Sequence, residues 1–272
     1  MFRMPLRRAM SGRKAGLGLA IFGTALGFFV GLSLGLLGGG GSVLTVPIFV
    51  YVLGVDPRAA IAASFVVVGA SALVGALRHA RNGNVHGRTA IGFGLVASVG
   101  AFAGGRLAFQ ISEILQLVLF ATVMLIAAIL MYRGRSEPAD DAADQEPRPW
   151  SVVTPVALAV GVLTGLVGVG GGFMIVPALV LLLRIPMKHA VGTSLLVIAI
   201  NATSGFSAYA GSVEIPWGVL LPFAGLSIVG IFAGARLMQS ASPKALKKGF
   251  AIFLMVVAVL ILVQNAIELG AA

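Results

Sequence analysis

Four consecutive glycines, Gly38 to Gly41, interrupt an otherwise apolar run and are followed at once by Ser42. Each glycine inside a helix costs about 1 kcal/mol relative to alanine, so together they break a helix. A broken helix frees backbone N–H groups and presents the positive end of its dipole, which is the chemistry of anion binding. No Lys-Ser or Lys-Thr follows the glycines, so a nucleotide phosphate loop is excluded.

The pattern returns 130 residues later. Gly31, Gly35, Gly38, Gly41 and Pro47 align without a gap with Gly161, Gly165, Gly168, Gly171 and Pro177. The offset persists through Ser64 and Ser194 to GAFAGGRL (100 to 107) and GIFAGARL (230 to 237). The chain reads as two tandem copies of one unit. Two breaks related by such symmetry converge on one point, and a small anion is the natural ligand there. Packing alone is the competing explanation for glycine-rich membrane helices, and the density and duplication of these runs weigh against it.

Few polar side chains lie inside apolar runs: Ser64, Ser71, Thr193, Ser194, Asn201, Thr203 and Ser204. Serine and threonine hydroxyls commonly satisfy local carbonyls. Asn201 sits near the middle of its span, and Ser64 and Ser194 are equivalent in the two copies. Ser64, Thr193, Ser194 and Asn201 are therefore candidate contacts, with Gly39 inside the first break. Arg106 and Arg236 each end a span at equivalent positions and either snorkel to the interface or guide anions. His79 and His189 lie at span edges and read as interfacial. No cysteine is present, and the three histidines lack metal-ligand spacing, so no catalytic residue, metal or cofactor is expected.

The elements that position these residues must be membrane helices. Of 272 residues, 58% are hydrophobic and 10% charged, with mean hydropathy +1.04; soluble domains carry about 25% charged residues. The fold class is an all-α polytopic membrane protein. Each copy holds a glycine-broken or re-entrant segment and three to four spans: 16 to 37, a short 42 to 53, then 59 to 77, 89 to 105 and 114 to 132. The second copy repeats this with 152 to 167, 172 to 183, 190 to 208, 215 to 235 and 249 to 263. About a dozen apolar residues are too few to cross 30 Å as a helix, and Pro47 fits near the start of such a short helix. Gly100 and Gly104 form a GxxxG that lets helices approach.

The organisation is a cationic tail (1–15), a first repeat (16–133), a hydrophilic linker (134–150), a second repeat (151–265) and a C-terminal tail (266–272). The +10 formal charge sits between spans without interleaved aromatics, so it points to membrane orientation and excludes a nucleic-acid partner. The N-terminus, the 78 to 88 loop and the 236 to 248 loop are expected in the cytoplasm. Basic loops that change sides between copies suggest inverted repeats. Inversion needs three crossings per copy, which follows if the first span and the short segment form a hairpin from one face.

GLLGGGGSVLTVP (35 to 47), its echo GLVGVGGGFMIVP (165 to 177), AVGTSL (190 to 195) and the paired G-x-R-L span ends resemble the sulfite exporter TauE/SafE family. The resemblance covers nearly the whole chain. It implies transport of sulfite, an organosulfonate or a related sulfur anion across the cytoplasmic (inner) membrane by a multi-pass transporter. It also implies contacts from the backbone around Gly40, Gly41 and Ser42 and around Gly170, Gly171 and Gly172. An anion channel or an uptake carrier for another sulfur compound is the alternative. An intramembrane enzyme finds no nucleophile and base in the spans. Small-residue faces permit a homodimer.

Overall fold

A computed structural model describes residues 13–133, 149–167 and 172–270. Ten α-helices follow in order: α1 (Arg13–Leu37), α2 (Gly40–Pro47), α3 (Pro57–Arg81), α4 (Gly87–Ala108), α5 (Glu113–Arg133), α6 (Trp150–Val167), α7 (Gly172–Pro177), α8 (Met187–Tyr209), α9 (Trp217–Ser240) and α10 (Pro243–Gly270). The class expected from composition is what is found. Six of these helices (α3, α4, α5, α8, α9 and α10) are long and apolar enough to cross a membrane. Leu77, Leu95, Val99, Leu221 and Leu260 stand exposed on their outer surfaces. Such a belt of apolar side chains is at home only in lipid.

Helix α1 does not continue into a crossing partner. At Gly38 the backbone turns with φ +73°, a conformation that suits glycine, and α2 folds back along α1. Gly41 packs on Val30 and Leu34, and Gly23 lies against Leu53, so the two helices are an antiparallel hairpin. This leaves three long crossings in each half among the described residues, where a plain hydropathy count gives four.

Both short helices change pitch after their prolines. Ile48–Val52 and Ala178–Leu182 are π-helical, closed by Leu53 N–H to Ile48 O at 3.0 Å and Leu183 N–H to Ala178 O at 3.1 Å. Pro47 therefore lies at the end of α2, eight residues in, and not near its start. Proline removes one amide donor and crowds the preceding turn, and the wider pitch accommodates the resulting defect.

Directions follow from who touches whom. Phe65 meets Gly205, Gly69 meets Ala202, Gly75 meets Leu195 and His79 meets Gly192, so α3 and α8 run antiparallel although they occupy equivalent places in sequence. Helix α1 runs parallel to α9, with Gly27, Gly31 and Gly35 against the backbone of Phe223, Ser227 and Ile231. Gly230 and Gly234 return the contact onto Phe28 and Leu32. The other seam has the same form, with Gly100 and Gly104 of α4 on Leu158 and Val162, and Gly161 and Gly165 of α6 on Ala97 and Ala101. Without side chains at these positions the backbones approach closely enough for dispersion to hold the helices.

These directions correct one expectation. Since α9 also runs parallel to α3 (Ser71 Oγ to Ser227 Oγ, 2.9 Å; Gly75 on Ile231), α1 and α3 start at the same face. The 78 to 88 and 236 to 248 loops share the opposite, second face, while the beginning of α1 lies at the first. The hairpin is the reason: it returns the chain to the face it came from.

Candidate functional site

The turn of the α1–α2 hairpin meets the start of α7. A Cβ built on Gly172 would stand 2.6 Å from Gly39 Cα and 2.6 Å from Ile198 Cδ1, and one built on Gly39 would overlap the Gly172 backbone. From this contact α2 and α7 depart toward opposite faces, α2 returning to Leu53 at the first. Gly39 is the N-cap of α2 and offers no side chain, so nothing caps the amides of Gly40 and Gly41 beside the contact, whereas Ser42 N–H donates to Gly39 O at 3.2 Å.

Around the tips the hydroxyls are committed to backbone. Ser42 Oγ donates to Gly39 O at 2.6 Å. Ser194 Oγ lies 2.8 Å from both Gly38 O and Val191 O, tying α8 to the turn of the first hairpin. Ser64 Oγ donates to Ile61 O at 2.7 Å, the counterpart of the Ser194 bond to Val191. All three serines are fully buried. Ser194→Ala leaves the Gly38 carbonyl short of a donor inside the protein; we expect a loss of about 1–3 kcal/mol, read as a lower thermal midpoint with the fold retained.

Thr193 points the other way. Its Oγ1 accepts the His86 N–H at 3.0 Å and anchors the α3–α4 turn. Asn201 lies three residues beyond Ile198, on the same side of α8. Its Oδ1 accepts from Ser98 Oγ at 3.3 Å, Ser204 Oγ donates to Ser98 O at 2.8 Å, and Nδ2 is buried without an acceptor. Gly40 opens α2, and Gly41 faces α1 with its Cα while its amide belongs to the free first turn. Arg106, in the last turn of α4, and Arg236, four residues before the end of α9, are exposed away from the tips, and Arg106 lies over the Phe102 ring at 5.4 Å. Gly170 and Gly171 fall outside the described residues.

Two side chains that the sequence reading passed over, and one that it read as interfacial, belong to this region. Ser98 and Ser227 fix helix pairs through single hydroxyls, and nothing distinguishes them from other span serines until their partners are known. His79 is 1% exposed, and neither ring nitrogen has a hydrogen-bond partner. It is not interfacial: α3 runs on to Arg81 and the α3–α4 turn folds over it.

His86 precedes α4, with its ring 5.2 Å from that of His189. Burial, and then the facing His189 ring, hold its imidazole below the ordinary 6.5. The folded protein thus binds fewer protons than the unfolded chain between that lowered value and 6.5, so stability falls as pH drops through this window. The thermal midpoint is expected to decline from about pH 7.5 to 5.5, and less so in His86→Gln.

A polytopic helical protein with six apolar helices long enough to cross a membrane and a re-entrant hairpin has the form of a membrane transporter, and comparison with known proteins agrees. The family model described as sulfite exporter TauE/SafE matches residues 23–261. A probable membrane transporter protein of Xylella fastidiosa is 36% identical over 240 residues, covering 87% of this chain and 92% of the relative. The probable membrane transporter protein YdhB of Bacillus subtilis is 28% identical over 230 residues, 84% and 93% of the two chains. No solved structure matches. The chain belongs to the sulfite exporter TauE/SafE family and is one of its membrane transporters.

Proposed function

We propose that the protein exports a small sulfur oxyanion, sulfite or an organosulfonate, across the cytoplasmic membrane. The anion is held between the hairpin tips and moved by alternating access. The observation that carries this reading is the contact of Gly39 with Gly172, from which α2 and α7 run to opposite faces. The first tip then presents the backbone amides of Gly39, Gly40 and Gly41, and the start of α7 that of Gly172, to one place. Asn201 Nδ2 is a buried donor without a partner, suited to an anion oxygen.

The antiparallel pairing of α3 with α8 supports reading the halves as inverted repeats, each a hairpin plus three crossings. Arg106 and Arg236 then stand at opposite faces, one beside each entrance, as anion-guiding charges. The second face, with Arg78, Arg81, Arg88, Lys188 and Arg236, is the cytoplasmic one. Tips in contact close the path, which favours a carrier over a channel. A homodimer in the membrane is compatible with the small-residue surfaces.

An interior negative by 100 mV favours outward movement by about 2.3 kcal/mol per negative charge. The test is sulfite efflux from proteoliposomes under an imposed inside-negative potential, with sulfate, methanesulfonate and chloride as competitors. Saturable efflux inhibited by the sulfonate is expected. Folded protein that moves none of these anions removes the sulfur-anion assignment.

A further inference from the structure

We propose that His79 is a proton-binding site filled together with the anion, so that each bound anion brings one proton; this rests on the anion reading above. His79 occupies the place that Tyr209 holds in the second half, 130 residues on. There the Tyr209 hydroxyl donates to Gly165 O at 3.1 Å. The His79 ring lies beside the equivalent carbonyl, Gly35 O, yet neither of its nitrogens completes a hydrogen bond. One half has a permanent donor at this point, and the other has a group that becomes a full donor only on taking up a proton.

The position suits a cation. Gly35 lies in the last turn of α1, where carbonyls lack intrahelical partners and the helix dipole is negative. Three residues later the chain turns at Gly38 into α2, whose positive end faces the anion. Proton and anion are thereby bound by adjacent, oppositely polarised helix ends. Gly192 carries the coupling: His79 Cβ packs on it, and its neighbours Val191 and Ser194 hold the Gly38 turn.

The charged groups at this face make its proton conditional. Arg78 and Arg81 share its helix, His86 lies in the following turn, Lys188 and His189 open α8, and Arg236 stands on α9. The C-terminal half of α1 has no titratable side chain. The described acids lie toward the other face: Asp56 and Glu214 precede α3 and α9, Glu113 opens α5, and Glu268 is in the last turn of α10. With Arg78 adjacent and no carboxylate at this face among the described residues, a proton on the ring finds its counter-charge when an anion arrives. By linkage, protonation must then tighten the anion to the same degree.

Sulfite itself titrates near neutral pH, so the probe is methanesulfonate, whose charge is constant. Its affinity for the full-length protein in nanodiscs is expected to be about tenfold tighter at pH 5.5 than at pH 8.5. His79→Gln should remove the dependence while binding persists, and so should His79→Tyr, which restores the donor of the second half. His86→Gln and His189→Gln should keep it. A wild-type slope that survives in both His79 variants overturns the proposal. If wild type binds no methanesulfonate at any pH, the anion reading fails on its own. The ¹⁵N signals of the His79 ring then decide the proton: titration supports the site, and one unchanged state from pH 5 to 9 overturns it.

Discussion

A single methyl group at either hairpin tip is expected to reduce transport about 100-fold. In Gly172→Ala the new Cβ stands 2.6 Å from Gly39 Cα and from Ile198 Cδ1, and in Gly39→Ala it overlaps the backbone of Gly172. Neither residue has positive φ, so strain does not enter; the tips must move apart. Overpacking of this kind costs about 1–3 kcal/mol, and about 2.7 kcal/mol is a factor of 100 in a rate or an affinity. Flux of the anion in proteoliposomes measures it. Gly218→Ala and Gly225→Ala on α9 meet nothing within 4 Å and serve as controls that should transport normally. Normal flux through Gly172→Ala would mean that the contact is dispensable and that the anion is held elsewhere.

Gly31→Ala and Gly161→Ala test the seams, and here the effect is on stability. Each Cβ falls onto backbone, of Ser227 in one seam and Ala97 in the other, where no rotamer change gives relief. Helix propensity returns up to about 1 kcal/mol, leaving a net loss of about 1–2 kcal/mol for each. The seams join different helix pairs, so the double variant should lose the sum within about 0.5 kcal/mol. Thermal unfolding in detergent reads all three. A pair of single losses below about 0.5 kcal/mol would show that the seams tolerate separation.

The features legible in the sequence are those with a local cost. Four glycines within an apolar run announce the break at Gly38, and a dozen apolar residues before Asp56 are too short for a crossing, whatever surrounds them. Repetition at 130 residues marks α7 as the counterpart of α2. What could not be read depends on partners. Pro47 signals a disturbed helix, but whether the chain kinks, stops or widens to π pitch is decided by packing around Ile48 and Phe49. The basic residues 13 and 14 look like those of the 78 to 88 loop, and only the hairpin separates them to opposite faces. His79 sits four residues after Gly75 and two before Arg81, a composition typical of a span edge. Its burial comes from the turn at Asn84 and from α8, more than a hundred residues away. The glycines at the Gly39–Gly172 contact were foreseeable by type, whereas the commitment of the Ser42, Ser64 and Ser194 hydroxyls to carbonyls needed coordinates.

Each seam joins the first helix of one half to the fourth element of the other, and this bears on how the protein is made. When α1 leaves the ribosome its partner α9 is about 180 residues from synthesis, since α1 ends at Leu37 and α9 starts at Trp217. At roughly 5–20 residues per second, the small-residue stripe of Gly27, Gly31 and Gly35 stays without its mate for about 10–40 s. The first half cannot mature as it emerges. Severed at the linker, neither fragment would complete its hairpin seam, and the two should assemble only when inserted together.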